Sequence, residues 1–187
     1  MNPLKILTVD DDPFTLKMLK KKLEKEGYDI ETAKDGIEAC RFISENFYDI
    51  IITDLSMPDG VDGMDVLDAA KTKSKQTEVI LLTAHASIEN AIEAMKKGAF
   101  DYLQKPINFY ELALRIEKIK NIKKLIKNVQ DLREAMDVTE LNAAQTIQTL
   151  EMTVADLKNT LFEIKKVIMN KAIDQGKRID TVRSMIC

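Results

Sequence analysis

Histidine is nearly missing from this chain: His85 is the only one in 187 residues. A phosphotransfer or kinase dimerisation domain relying on its own histidine is excluded from the C-terminal half. Cysteine is almost as scarce. Cys40 and Cys187 lie far apart, without metal-ligand spacing, and predict free thiols in a reducing compartment. Long apolar runs are lacking too. No stretch approaches the 18 residues of a transmembrane helix, and the N-terminal MNPLKILTVDDD is too short in apolar residues for a signal peptide. A cytoplasmic protein with no membrane partner is expected. Nor is there a dominant sign of charge. The 28 basic and 31 acidic residues leave a net −3. Residues 1–120 carry −5 and residues 121–187 carry +2, the latter scattered, so direct nucleic-acid binding is not expected. Finally, Gly and Pro are absent from Ile107 to Gln175, which predicts uninterrupted helix.

What is present is regular. The segment Tyr48–Leu55, YDIIITDL, holds a β-branched apolar run that reads as a strand buried on both faces. It ends in Asp54, followed by the loop SMPDGVDG. Around it strands and helices alternate. Strands are expected at Lys5–Val9, Tyr28–Ala33, Glu78–Leu82 with Thr83 closing, and Phe100–Leu103. Helices are expected after Asp12-Pro13 with Phe14, Leu16, Met18, Leu19 and Leu23 inward, and over Gly36–Asn46 with Ile37, Ala39, Cys40, Phe42 and Ile43 inward. Others follow over Met64 to Lys73, from Ser87 to Lys97, and from about Asn108. Asp12 suits an N-cap, and Gly27 and Gly98 suit helix ends. This alternation predicts an α/β fold: a doubly wound parallel sheet covered by helices on both faces.

In such sheets ligands bind at the C-terminal strand edge. There the chain offers Asp10, Asp11 and Asp12, then Asp54, Thr83 and Lys105. Several carboxylates in one place repel one another unless a cation sits among them. Oxygen-only ligands suit Mg²⁺. A hydroxyl and an ammonium beside them can hold phosphoryl oxygens, and a carboxylate can become an aspartyl-phosphate. The pattern reads as Mg²⁺-dependent phosphoryl transfer onto Asp54.

The segments LTVDDDP, YDIIITDLSMP, VILLTAH and GAFDYLQKP, in this order, resemble the receiver domain of bacterial two-component response regulators, with a nitrogen-regulator flavour. The resemblance covers residues 4–120. It implies a flavodoxin-like five-stranded sheet of order 2-1-3-4-5. It implies that Asp54 accepts phosphate from a partner histidine kinase, in a signalling protein that catalyses only its own phosphorylation and dephosphorylation. It assigns the acidic pocket to Asp10 and Asp11, with Mg²⁺ held by Asp11, Asp54 and the backbone carbonyl of Ser56. Thr83 becomes the switch hydroxyl, Tyr102 the switch aromatic and Lys105 the phosphate-binding cation. The plainer readings are a core role for Tyr102, a capping role for Asp12 and a solvated loop position for His85. One departure stands out: three residues, not two, separate Met57-Pro58 from Asp62-Gly63. Glycine can absorb the insertion.

Residues 1–120 are thus expected to be a receiver and 121–187 a helical extension. In the extension a 3,4 spacing runs from Ile119 through Ile122, Ile126 and onward to Ile164 and Ile168, apolar except at Arg133 and Glu140. Such a seam predicts a coiled coil, most simply a homodimer through residues 107–175. We expect one continuous helix, since the register carries through. The alternative is a hairpin broken near 137–139, where Asp137 or Thr139 could cap a second helix. Gly176 is expected to end the long helix, with Lys177–Ile186 as a short last one. The extension has no helix-turn-helix, Walker or cyclase pattern. The output is then either contact with an unknown downstream protein, or a domain lying beyond residue 187 in a longer regulator.

Overall fold

The computed structural model describes residues 3–169 apart from 59 and 86, and residues 175–186. The described elements are β1 (Lys5–Val9), α1 (Pro13–Lys25), β2 (Asp29–Ala33), α2 (Gly36–Glu45), β3 (Ile50–Asp54), α3 (Gly63–Lys73), β4 (Glu78–Thr83), α4 (Ile88–Lys96), β5 (Asp101–Gln104), α5 (Phe109–Met169) and α6 (Gln175–Ile186). The chain divides into two compact units, residues 1–125 and 126–187.

In the first unit the five strands are parallel and ordered β2-β1-β3-β4-β5. This is the expected flavodoxin-like sheet. β3 lies at its centre, and all five of its residues are buried. Alternation along the strands divides the core in two. Leu7, Ile51, Val79 and Leu81 face α2, α3 and Ala94 of α4. Ile6, Ile50, Ile52, Ile80 and Leu82 face Leu19 and Leu23 of α1 and Leu112, Ile116 and Ile119 of α5. Each fully buried Ile or Leu contributes about 1.5–3 kcal/mol. That sets the register, because a one-residue slip of β3 would exchange its two faces.

Helix starts follow their caps. Asp12 accepts from the N–H groups of Phe14 and Thr15, and Pro13 stands at the first helical position. Ser87 accepts from Asn90. Gly27 and Gly98 lie at φ +87° and +94°, as helix-ending glycines do. Two expected core residues are instead exposed, Phe14 at 75% and Ile37 at 57%. Each sits in the first turn, off the stripe that the helical period turns inward: Leu19 and Leu23 in α1, Ala39 and Ile43 in α2.

α5 is one helix from Phe109 to Met169. The break considered near 137–139 is not present; Thr139 bonds its hydroxyl to the Ala135 carbonyl of its own helix rather than capping a new one. In the second unit the seam is open: Val129, Met136, Ile147, Leu150, Leu157 and Leu161 are all exposed. The expected helix through residue 175 falls in part on residues 170–174, outside the described residues. Gly176 is the second residue of α6, at a helix start rather than at the end of the long helix. A glycine in the first turn costs a helix less than one in its interior. Cys187 lies outside the described residues.

Candidate functional site

The C-terminal ends of β1, β3, β4 and β5 bring their polar residues to one edge of the sheet. Asp10 follows β1 and is fully buried; Asp11 beside it is exposed. Asp54 ends β3 with 7% exposure. Asp10, Asp11 and Asp54 each direct one carboxylate oxygen to within 4.8 Å of the others. Lys105, just past β5, reaches back across the sheet edge. Its ammonium lies 2.8 Å from Asp10 Oδ2 and 2.7 Å from Asp54 Oδ2. Backbone contacts fix the rest: the Asp12 N–H donates to Asp10 Oδ1 at 3.0 Å, and the Ser56 N–H lies 3.4 Å from Asp54 Oδ1. Ser56 itself is exposed.

Three carboxylates against one ammonium leave two negative charges unbalanced. Burial lifts the Asp10 carboxyl above its ordinary range, against the pull of the Lys105 ammonium and the Asp12 N–H. Lys105 is raised as well. Burial works against its charge, but the hydrogen bonds to Asp10 and Asp54 outweigh it. Hard oxygen ligands with a net double negative charge match a divalent cation such as Mg²⁺ in both chemistry and charge.

Thr83 ends β4 at the same edge, 2% exposed. Its hydroxyl is engaged within its own loop. It donates to the His85 carbonyl and accepts from the His85 N–H, both at 3.1 Å. Its carbonyl accepts from the Lys105 N–H at 2.7 Å, which ties β4 to the lysine. Tyr102 pairs with Leu81 in the ladder and packs partly buried against the α2–α3 side of the core. Its hydroxyl is buried without a hydrogen-bond partner among the described residues. Asp12 is a cap, not a member of the acidic group; Thr15 and the α1 N–H groups hold its carboxyl below the ordinary range. His85 is exposed.

Two glycines that shape the site were not singled out from sequence. A Cβ on Gly63 would stand 2.3 Å from the Asp54 carbonyl oxygen and 2.8 Å from Leu55 Cα. One on Gly36 would stand 2.3 Å from the Val61 carbonyl oxygen. The loop after Asp54 is thus pressed against the first turns of both α2 and α3. The Gly63 N–H donates to Leu55 at 2.9 Å, and Asp62 and Asp65 form a capping box. The longer loop turns at Gly60, whose φ is +79°. The Asp62-Gly63 pair was the available signal.

Residues 6–117 match the response regulator receiver domain family, and the chain belongs to that family. Those residues are therefore a receiver domain of the two-component signalling class. The transcriptional regulatory protein TrcR of Mycobacterium tuberculosis is 30% identical over 186 residues, covering 97% of this chain and 71% of that protein. GlrR of Escherichia coli K12, also a transcriptional regulatory protein, is 41% identical over 106 residues, 57% of this chain; the chain spans only 24% of its length. Among solved structures, a receiver domain protein from Clostridium thermocellum is 41% identical with a TM-score of 0.62, covering 66% of this chain and 98% of that one. The response regulator TrrA of Thermotoga maritima, solved with Mg²⁺ and BeF, is 36% identical with a TM-score of 0.56, covering 62% and 98%. No described helix is long and apolar enough to cross a membrane.

Proposed function

We propose that this chain is a phosphorylation-dependent response regulator in which Asp54 takes a phosphoryl group from a histidine kinase and α5 passes the change to a protein partner. The observation that carries this reading is Lys105 bridging Asp10 and Asp54, with Asp11 adjoining. An Asp54 oxygen bonds to phosphorus as the P–N bond of the kinase's phosphohistidine breaks. The imidazole leaves with the electron pair and takes a proton from solvent. Hydrolysis later returns the carboxylate and inorganic phosphate, so the only catalysis is on the protein's own phosphorylation. Asp10, Asp11, Asp54 and the Ser56 carbonyl would hold Mg²⁺, and the bound ion would supply positive charge to the transferring oxygens. Lys105 trades a carboxylate contact for a phosphoryl oxygen, so its charge is already in place. Thr83 must release the His85 backbone to reach the same group. A switch role for Tyr102 is supported by its buried hydroxyl, which has no hydrogen-bond partner among the described residues. Repacking there would alter the surface of α4, β5 and the start of α5.

On this reading residues 1–120 are the receiver and 121–187 a helical stalk that pairs with a second copy through its 3,4 seam. A second reading, the receiver and stalk of a longer regulator with its output domain beyond residue 187, is favoured by the greater length of TrcR and GlrR. The site reading is tested by incubation with acetyl phosphate with and without Mg²⁺. Stoichiometric, Mg²⁺-dependent labelling that vanishes in Asp54→Ala is expected; label retained by Asp54→Ala refutes the assignment. Transmission is tested by spin labels on cysteines at Asn121 and Asn159, measured across the dimer. If beryllofluoride moves Thr83 and Tyr102 but neither distance, the stalk only dimerises.

A further inference from the structure

The pairing seam uses the a and d positions of α5, with Met136 at d and Glu140 at a. The opposite face is formed by the b, c and f positions. From Lys124 to Glu134 its b and f positions are all charged: Lys124, Lys127, Asp131 and Glu134. From Val138 to Phe162 no b or f position is charged and the c positions carry one charge, Asp156; charge returns at f with Lys166. Val138, Leu141, Met152 and Phe162 stand on this outer face at 59–66% exposure. The Val138–Phe162 span is about 37 Å long at 1.5 Å per residue. An ordinary two-stranded coiled coil turns charge outward here and bridges its partner through charged g positions. Here four successive g positions are Thr139, Thr146, Thr153 and Thr160, and each hydroxyl is bonded to the carbonyl four residues back. These hydroxyls donate within the helix along the d side of the seam, while the e positions on its other side carry Asp137, Glu151 and Lys158. Exposed apolar residues on two opposite faces of one helix are surfaces that association would cover.

The charges at the two ends of the span are opposite, Glu134 before it and Lys166 after it. About a centre at residue 150, an antiparallel copy sets Glu134 against Lys166, Val138 against Phe162 and Gln148 against Met152. A parallel copy sets Glu134 against Glu134 and Lys166 against Lys166. Among the described residues the ion pair of Lys166 is an exposed one with Glu163, at 3.6 Å.

We propose that the Val138–Phe162 outer face of α5 is a second self-association surface, on which another copy of this chain packs antiparallel, so that seam-paired dimers join into a tetramer. The proposal rests on the seam pairing above, and the test separates the two. Sedimentation equilibrium of the full chain at micromolar concentration is expected to give four times the chain mass of 21.2 kDa. Met152→Glu should give twice that mass with its helical circular dichroism retained, and Leu157→Glu in the seam should lower the mass further. Glu134→Lys alone or Lys166→Glu alone should weaken tetramer formation by up to about fivefold per contact, and the double exchange should restore it. Wild-type protein at twice the chain mass overturns the outer-face proposal and leaves the seam standing; a single-chain mass overturns both. Met152→Glu still at four times the mass also overturns it. If Met152→Glu loses helix, the double exchange decides, and failure to restore assembly rejects the antiparallel surface.

Discussion

Gly63→Ala places one methyl where the chain has no room for it. The added carbon would stand 2.3 Å from the Asp54 carbonyl oxygen and 2.8 Å from Leu55 Cα. Comfortable separations are about 3.5–4 Å. Both neighbours are backbone, so no side-chain rotation relieves the contact. Either α3 withdraws from the end of β3 or Asp54 shifts. Withdrawal strains the 2.9 Å hydrogen bond from Gly63 to Leu55, worth about 1 kcal/mol net. Overpacking adds about 1–3 kcal/mol. The expected loss is therefore about 2–4 kcal/mol. Gly60→Ala is the control. Its φ of +79° carries a left-handed cost of about 1–2 kcal/mol, but nothing lies within 4 Å and the turn is exposed. Tyrosine fluorescence during urea unfolding isolates the effect, because the four tyrosines lie between Tyr28 and Tyr110 and there is no Trp. Gly63→Ala should also slow labelling of Asp54 by acetyl phosphate, and Gly60→Ala should not. Equal stability losses in the two variants, or an unchanged midpoint in Gly63→Ala, would refute the close-approach argument.

Three further outcomes are expected. Lys105→Met leaves Asp10 and Asp54 buried together without their cation and should cost about 3 kcal/mol in Mg²⁺-free buffer, with much of that returned by added Mg²⁺; urea midpoints with and without the metal check it. Leu112→Ala, at a fully buried position of α5, should destabilise the first unit by about 2–5 kcal/mol, whereas Leu114→Ala, half exposed on the same helix, should stay within about 0.5 kcal/mol. The Glu31 carboxyl is held below its ordinary value of 4.5, chiefly by the Tyr48 hydroxyl and also by Lys5. A depressed folded-state pKa stabilises above the unfolded value, and that stability is lost as pH falls through the folded one. Glu31→Gln should therefore unfold more easily than wild type at neutral pH and converge with it in acid, which paired urea titrations at the two pH values decide.

How far the sequence went depended on whether a property is local. The period of the apolar residues, the caps at Asp12 and Ser87 and the run of Ile50–Ile52 are local, and they determined the parallel sheet and its helices. Once the strands are parallel, their C-terminal ends must share an edge, so the gathering of Asp10, Asp11, Asp54, Thr83 and Lys105 was legible as well. Long-range packing was not. Only the tertiary structure decided that Asp10 is sealed from solvent while Asp11 is open, and that Lys105 reaches both Asp10 and Asp54 across 95 and 51 residues of chain. The exposure of Phe14 and Ile37 likewise depends on which side of each helix meets the sheet, a fact absent from apolarity alone. The need for glycine at position 63 arises because a helix start meets the backbone of a strand eight residues and more behind it, and no residue at position 63 itself records how near that backbone comes. The long helix is the converse case. Its length and seam are written in the sequence through the absence of Gly and Pro and the 3,4 spacing, whereas the exposure of that seam is a property of the folded chain.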